Sequence, residues 1–222
     1  MKLPQRHKEI LLKEKEEITK KKLLFYAGGF VWINSDHKDV IIENLLVTDF
    51  TLMYPSIMYM IHDENIYSVD DIDKIKFFIE NKENLKLLSH SEYLKYKIEV
   101  NHIYGGLTLS GNITPHLISK YLNLFYNELL ENNPHNIVYI DTDRIISINS
   151  LNMLDCPLTY STDTLTLGII KEKKKYVVHD GNELKIKGYP TRKHEEVKRE
   201  VQSRIRQLQL EKLGITEQLK LF

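Results

Sequence analysis

The sequence predicts an α+β fold built on an antiparallel sheet. Helical periodicity runs through residues 5–24, through the segment opened by Thr114-Pro115, and through residues 193–213. Two β-branched runs, Ile137 to Ile140 and Arg144 to Ile148, flank a tight Asp-Thr-Asp. A second pair, Tyr176 to Val178 and Leu184 to Lys187, flanks Asp180-Gly181. No internal repeat or low-complexity linker interrupts the pattern.

Each element follows in order. In residues 5–24 a thin apolar stripe is formed by Ile10, Leu11, Ile18, Leu23 and Leu24. Tyr26-Ala27-Gly28-Gly29 interrupts this helix, and its paired glycines allow a tight turn or close backbone approach. Strand-like Val31-Trp32-Ile33 and Val40-Ile41-Ile42 come next. Leu45-Leu46-Val47 then leads into Asp49, which places that carboxylate near the C-terminal end of a strand. Pro55 stops the strand and starts a turn or helix.

Ser68 with Asp71 has the pattern of a capping box for a helix reaching about Asn84. Ser91 is placed to cap a second helix, so that the two form a short hairpin. That second helix carries Lys97, Asn101 and Tyr104 and is expected to end at Gly105-Gly106. After Thr114-Pro115 the apolar face reads Leu117, Ile118, Tyr121, Leu122, Phe125 and Leu129. The last helix, closed by Gly214, carries Val197, Val201, Ile205 and Leu208 on one stripe.

With 222 residues the chain has room for one large domain or two small ones. No apolar run approaches the ~20 residues of a membrane span. No secretory segment follows Met1, so a cytoplasmic setting, bacterial or in an infected host, is expected. The single cysteine, Cys156, excludes an internal disulfide and a cysteine-based zinc site. Net charge is zero but unevenly spread: +4 over residues 1–24, −10 over residues 25–170 and +6 over residues 171–222. An acidic body with basic ends suits cations at the centre and phosphates at the periphery.

Asp49 and Asp143 lie 94 residues apart, so any site they share is a tertiary construction. Two close carboxylates repel unless a cation lies between them. Mg²⁺ suits one or two carboxylates together with substrate phosphates, and two such ions suit an in-line displacement. Asp141 and Asp143, read as two apart on one strand, are expected to face the same side. Lys97, Asn101 and Tyr104 fall at i, i+4 and i+7, one helix face offering a mobile cation, an amide and a flat ring. Lys171, Lys173, Lys174 and Lys175, with Tyr176 interleaved, read as a basic cluster on a strand that suits phosphate contact.

Three strings, Asp49-Phe50-Thr51-Leu52-Met53-Tyr54-Pro55-Ser56-Ile57, Lys97-Ile98-Glu99-Val100-Asn101-His102-Ile103-Tyr104-Gly105 and Tyr139-Ile140-Asp141-Thr142-Asp143, resemble in order three motifs of family B DNA polymerases. The resemblance covers roughly residues 26–192. It implies a polymerase palm with a short two-helix fingers region and a vestigial thumb. By this resemblance Asp49 and Asp143 are the metal-binding aspartates, the Phe50 carbonyl is a further ligand, and Asp141 is a secondary acid. Two Mg²⁺ ions, replaceable by Mn²⁺, are the implied cofactors. Tyr54 would exclude a ribose 2′-hydroxyl, Lys97 and Asn101 would serve the incoming dNTP, and Tyr104 would lie by the nascent pair. Tyr26, Gly28 and Gly29 resemble a template-contacting segment. Lys174, Tyr176, Lys187 and Arg192 resemble the residues that hold primer–template DNA. His102 and Arg144 depart from the family pattern, each standing where a serine is usual.

The domain reading is an N-terminal helix at 1–25, the start of a palm at 26–56, shortened fingers at 57–106, more palm at 107–192, and a C-terminal helix at 193–222 that is a reduced thumb or a partner-docking element. The resemblance implies a DNA-directed DNA polymerase without its own exonuclease, working with a second chain that carries exonuclease or thumb functions. A phage or viral source fits the Lys-, Asn- and Ile-rich composition. The alternatives are a non-catalytic palm that binds primer–template or a partner polymerase, and an RNA-directed or priming palm enzyme.

Overall fold

Six α-helices and seven strands make up the described residues, 1–21, 29–153 and 155–213, of the computed structural model. They divide into two units interleaved in sequence: residues 1–30, 49–134 and 151–161, and residues 31–48, 135–150 and 162–222.

The first unit is helical. It holds α1 (Gln5–Lys21), α2 (Met53–Asp63), α3 (Ile72–Leu88), α4 (His90–Leu109) and α5 (Thr114–Asn132). Helix α2 is apolar on nearly every side, with Met53, Ile57, Met58, Met60 and Ile61 all buried, as a central helix requires. It packs against α3, α4 and α5. Helix α5 buries all six apolar residues read from its sequence, and Asn112 Oδ1 accepts from the Thr114 amide at 2.8 Å. Helix α1 lies on α5, burying Leu11 and Ile18. Two histidine–glutamate pairs flank that seam: His7 Nε2 to Glu128 Oε1 at 2.7 Å, and His116 Nε2 to Glu14 Oε1 at 2.9 Å.

The second unit is built on the sheet. Strands β1 (Val31–Ile33), β2 (Ile41–Phe50), β3 (Ile137–Asp141), β4 (Arg144–Ser147), β5 (Tyr160–Glu172), β6 (Lys175–His179) and β7 (Leu184–Lys187) lie in the order β1-β3-β4-β2-β5-β6-β7. The β1–β3, β3–β4, β5–β6 and β6–β7 pairs are antiparallel. One face buries Leu45, Val47, Val138, Tyr139, Ile146, Tyr176 and Val178. On the other, Ile169 and Val177 meet Val197 and Val201 of α6 (His194–Lys212). Burial on both faces explains the unbroken run Tyr176-Val177-Val178.

Several sequence expectations are corrected. Helix α1 ends at Lys21 among the described residues, Ile10 in its expected stripe is exposed, and Leu23 and Leu24 lie outside the described residues. Ser68 caps nothing: α3 begins after Asp71 and continues to Leu88. Ser89, not Ser91, caps α4, its hydroxyl accepting from the Glu92 amide at 3.3 Å. Helix α4 runs through Gly105-Gly106 to Leu109, because neither glycine takes a left-handed conformation. The lysine cluster is not on one strand: Lys173 and Lys174 form the two-residue turn between β5 and β6. The stripe of α6 expected to seek a partner is covered by the chain's own sheet. Strand β5 was not foreseen as a continuous element. Gly214 lies outside the described residues. No helix among them is long and apolar enough to cross a membrane.

Two predictions follow from this packing. Gly188 has φ +77°, and a Cβ there would come within 1.8 Å of the Lys174 carbonyl oxygen. Gly188→Ala is therefore expected to lower the free energy of unfolding by about 2 kcal/mol or more, read from a urea titration. Asp39 ties α6 to the sheet: Lys171 Nζ lies 2.7 Å and Arg204 Nη1 2.9 Å from its carboxylate. Hydrogen bonds from Lys171 first, and then from Arg204, hold the Asp39 carboxyl below the usual carboxylate range. Its contribution is thus present above the unfolded carboxylate pKa of about 3.9 and is lost as pH falls through the lower folded value. Amide exchange in α6 should accelerate as pH is lowered below about 4 after correction for intrinsic rates. Asp39→Asn should already show part of that acceleration at neutral pH.

Candidate functional site

In the first unit, β2 delivers Asp49 half-buried and Phe50 fully buried at its end. The Phe50 ring is fixed edge-on by Phe125 at 5.5 Å and Tyr160 at 6.1 Å, which sets the backbone on either side of it. Thr51 and Leu52 then turn the chain into α2, with Leu52 in the left-handed region at φ 50°. Tyr54, in the first turn of α2, meets Tyr104 of α4, their ring centroids 4.8 Å apart and tilted by 48°. The first and second sequence strings are thus joined by a pair of tyrosines. Lys97 and Asn101 are exposed on the helix face that carries Tyr104. The opposite face, with His102 and Gly106, lines a groove of about 460 Å³ together with Asp71, Lys74 and Glu99. A Cβ added at Gly105 would meet nothing within 4 Å.

In the second unit, the β3–β4 hairpin presents its acids at the tip. Asp141 is the last residue of β3 and pairs with Arg144, while Thr142 and Asp143 form the turn. The expectation that Asp141 and Asp143 share a face by strand alternation is therefore corrected: alternation holds only within a strand, and Asp143 has left it. Asp143 is exposed and Asp141 half-buried. Arg144 Nη1 donates to the Tyr176 hydroxyl at 3.2 Å. The Tyr176 ring is buried and lies 5.3 Å from that of Tyr139. Tyr176 also pairs in register with Lys187 across β6–β7. Lys174 and Lys187 are exposed, and Arg192 is exposed on a short 3-10 turn before α6. Gly29 sits in a bend before β1; Tyr26 and Gly28 lie outside the described residues.

Eight non-glycine described residues have positive φ. Five are Asn, Asp or His, types that tolerate the left-handed region. The other three are Leu52, Thr142 and Lys174. Leu52 follows Asp49 within the first string, Thr142 separates the two acids of the third, and Lys174 heads the basic turn. Such strain costs on the order of 1–3 kcal/mol per residue and persists where a structure over-determines it.

The donor chemistry fits a hard divalent ion. The available groups are carboxylates and a backbone carbonyl, with no thiolate or imidazole beside them in the strings. Among the described residues no group of three or more His, Cys, Asp or Glu side chains could by itself hold a metal. One or two carboxylates with a carbonyl are a donor set of the kind Mg²⁺ takes alongside water or phosphate oxygens. Sequence reasoning missed Tyr139 and the bond between Arg144 and Tyr176. A tyrosine in a β-branched run reads as core, and nothing in the string links it to partners more than thirty residues away.

No protein-family model matches the chain, and no curated protein matches it. Solved structures do. Phi29 DNA polymerase complexed with single-stranded DNA superposes with a TM-score of 0.58 at 14% identity, covering 86% of this chain and 61% of that one. Phi29 DNA polymerase complexed with primer-template DNA, in a post-translocation binary complex, gives 0.56 at 14% identity, covering 87% and 61%. The orthorhombic crystal form of the same polymerase gives 0.51 at 13% identity, covering 83% and 58%. The chain thus spans less than two thirds of the length of those polymerases. At this identity the likeness is one of fold: a mixed α and β chain with an antiparallel sheet, folded as a DNA polymerase is.

Proposed function

We propose that the chain is the catalytic part of a DNA-directed DNA polymerase of the family B type, adding dNTPs to a primer 3′ end. The observation that carries this reading is the coincidence of backbone strain with motif: of the three left-handed residues of unsuited type, Leu52 and Thr142 fall inside the first and third strings, and Lys174 lies in the basic turn. A residue that is costly to hold in place is expected where a site needs a fixed geometry.

In this reading Asp49, Asp143 and the Phe50 carbonyl hold two Mg²⁺, or Mn²⁺, and Asp141 is the supporting acid. When bound, the ions neutralise phosphate charge and acidify the attacking hydroxyl. The primer 3′-hydroxyl gives up its proton to solvent as its oxygen bonds to the α-phosphorus, the bond from that phosphorus to the oxygen bridging to the β-phosphate breaks, and pyrophosphate leaves with that oxygen. Lys97 places a cation on the triphosphate, with Asn101 beside it on the same helix face. Tyr54 lies under the sugar and excludes a 2′-hydroxyl, and Tyr104, whose ring it meets, lies by the nascent pair. Exposed Lys174, Lys187 and Arg192 meet backbone phosphates, a sequence-independent grip. Tyr176, buried and accepting from Arg144 through its hydroxyl, supports this face from beneath. A second chain with exonuclease or thumb functions is no longer motivated by bare helix faces, since α1 and α6 are both packed against the chain itself.

Asp49→Ala and Asp143→Ala are each expected to reduce primer extension by at least about a thousand-fold with the fold intact, measured with Mg²⁺ and dNTPs beside circular dichroism. Duplex binding without extension by the wild-type chain would instead assign the non-catalytic palm. Gly105→Ala separates fold from function. With open space at its Cβ position it should stabilise α4 by up to about 1 kcal/mol in thermal unfolding. Its extension rate should nonetheless fall, because the methyl enters the space a nascent pair requires. Unchanged extension in that variant would remove Gly105 from the site.

A further inference from the structure

We infer that Tyr139 is a positioning residue whose hydroxyl fixes the Lys173–Lys174 turn against the acidic hairpin, aiming Lys174 at a nucleic-acid backbone phosphate. The inference rests on the nucleic-acid reading given above.

The turn is held from several directions. Lys174 is left-handed at φ 62°, a conformation that glycine or asparagine would adopt more readily. Its N–H donates to the Tyr139 hydroxyl at 2.7 Å. Its carbonyl is pressed by the backbone at Gly188, where no Cβ fits. The Tyr139 ring is fully buried and packed on Tyr176, so a phenylalanine would fill the same space. The hydroxyl is what the site requires, since a buried hydroxyl is unfavourable unless it is bonded. Burial raises the pKa of that hydroxyl well above the usual tyrosine value, so its proton stays in place. One oxygen on β3, the strand that ends on Asp141, therefore holds the backbone of the basic turn. Arg144, bonded to Tyr176, makes a second tie between the same two hairpins. The strained residue that results is an exposed lysine, whose backbone lies against Gly188, the residue after Lys187.

The test is a double-mutant cycle on the full chain: wild type, Tyr139→Phe, Lys174→Ala and both together. Three quantities are read: Kd for a primer–template duplex by fluorescence anisotropy, KM and kcat for extension, and amide exchange at Lys174. Tyr139→Phe is expected to weaken duplex Kd and KM about five-fold, the worth of one hydrogen bond, with kcat changed less than about two-fold. Exchange at Lys174 should accelerate while the unfolding midpoint moves little. Lys174→Ala should weaken binding comparably, and the double variant no further, because the two residues act as one unit. Unchanged Kd in Tyr139→Phe, or losses that simply add, would overturn the assignment. A wild-type chain that binds duplex yet never extends it sinks the polymerase reading while the cycle in Kd still decides this one. A wild-type chain that binds no duplex overturns both.

Discussion

Strand β2 is the constraint from which the rest follows. It lies inside the sheet, between β4 and β5, and its buried Leu45 and Val47 face one core. A slip of one residue would turn both to the other side, so the register has a single solution. Gly168 on β5 tightens it further: a Cβ there would lie 2.8 Å from Leu45 Cδ1. Asp49 is therefore set by the burial of apolar residues earlier in its own strand. The left-handed Leu52 then redirects the chain at once into the most buried helix of the first unit. Hydrophobic burial thus fixes the position of the acidic residue at the end of the strand.

The charge pattern takes on a different meaning once partners are known. The basic C-terminal third does not present all its cations outward. Lys171 and Arg204 meet Asp39, Lys175 meets Glu172, and Lys185 meets Asp180. These pairs tie strands to one another and to α6, and the exposed ones add little stability each. Lys174, Lys187 and Arg192 are among the exposed cations of this segment, at the β5–β7 end of the sheet and the turn after it. Net charge by segment does not separate such cations from those already held in ion pairs.

Much of the fold was legible in the sequence, for identifiable reasons. The β3–β4 and β6–β7 hairpins follow from β-branched runs around turn residues, and α5 from a six-residue apolar face. Boundaries were less legible. Ser68, Ser89 and Ser91 are chemically equal as caps, and which of them caps depends on where Ile75 and Phe78 bury α3 and how α4 returns along it. Gly105-Gly106 looked like a stop, yet helical φ at both lets α4 continue. Strand β5 escaped notice because Tyr160 to Asp163 is polar and exposed, and only its neighbours make it a strand. At the site, residue types in order were visible. The tyrosine hydroxyls that connect hairpins were not, because a side-chain hydrogen bond spanning 35 residues leaves no local pattern.

The chain passes between its two units after Phe30, Thr48, Pro134, Ser150 and Ser161. No single cut releases either unit as a continuous polypeptide. Neither can be excised as one continuous segment, since each is assembled from three. Assembly must also bring together segments more than a hundred residues apart before either core closes, which favours slow, concerted folding over stepwise docking.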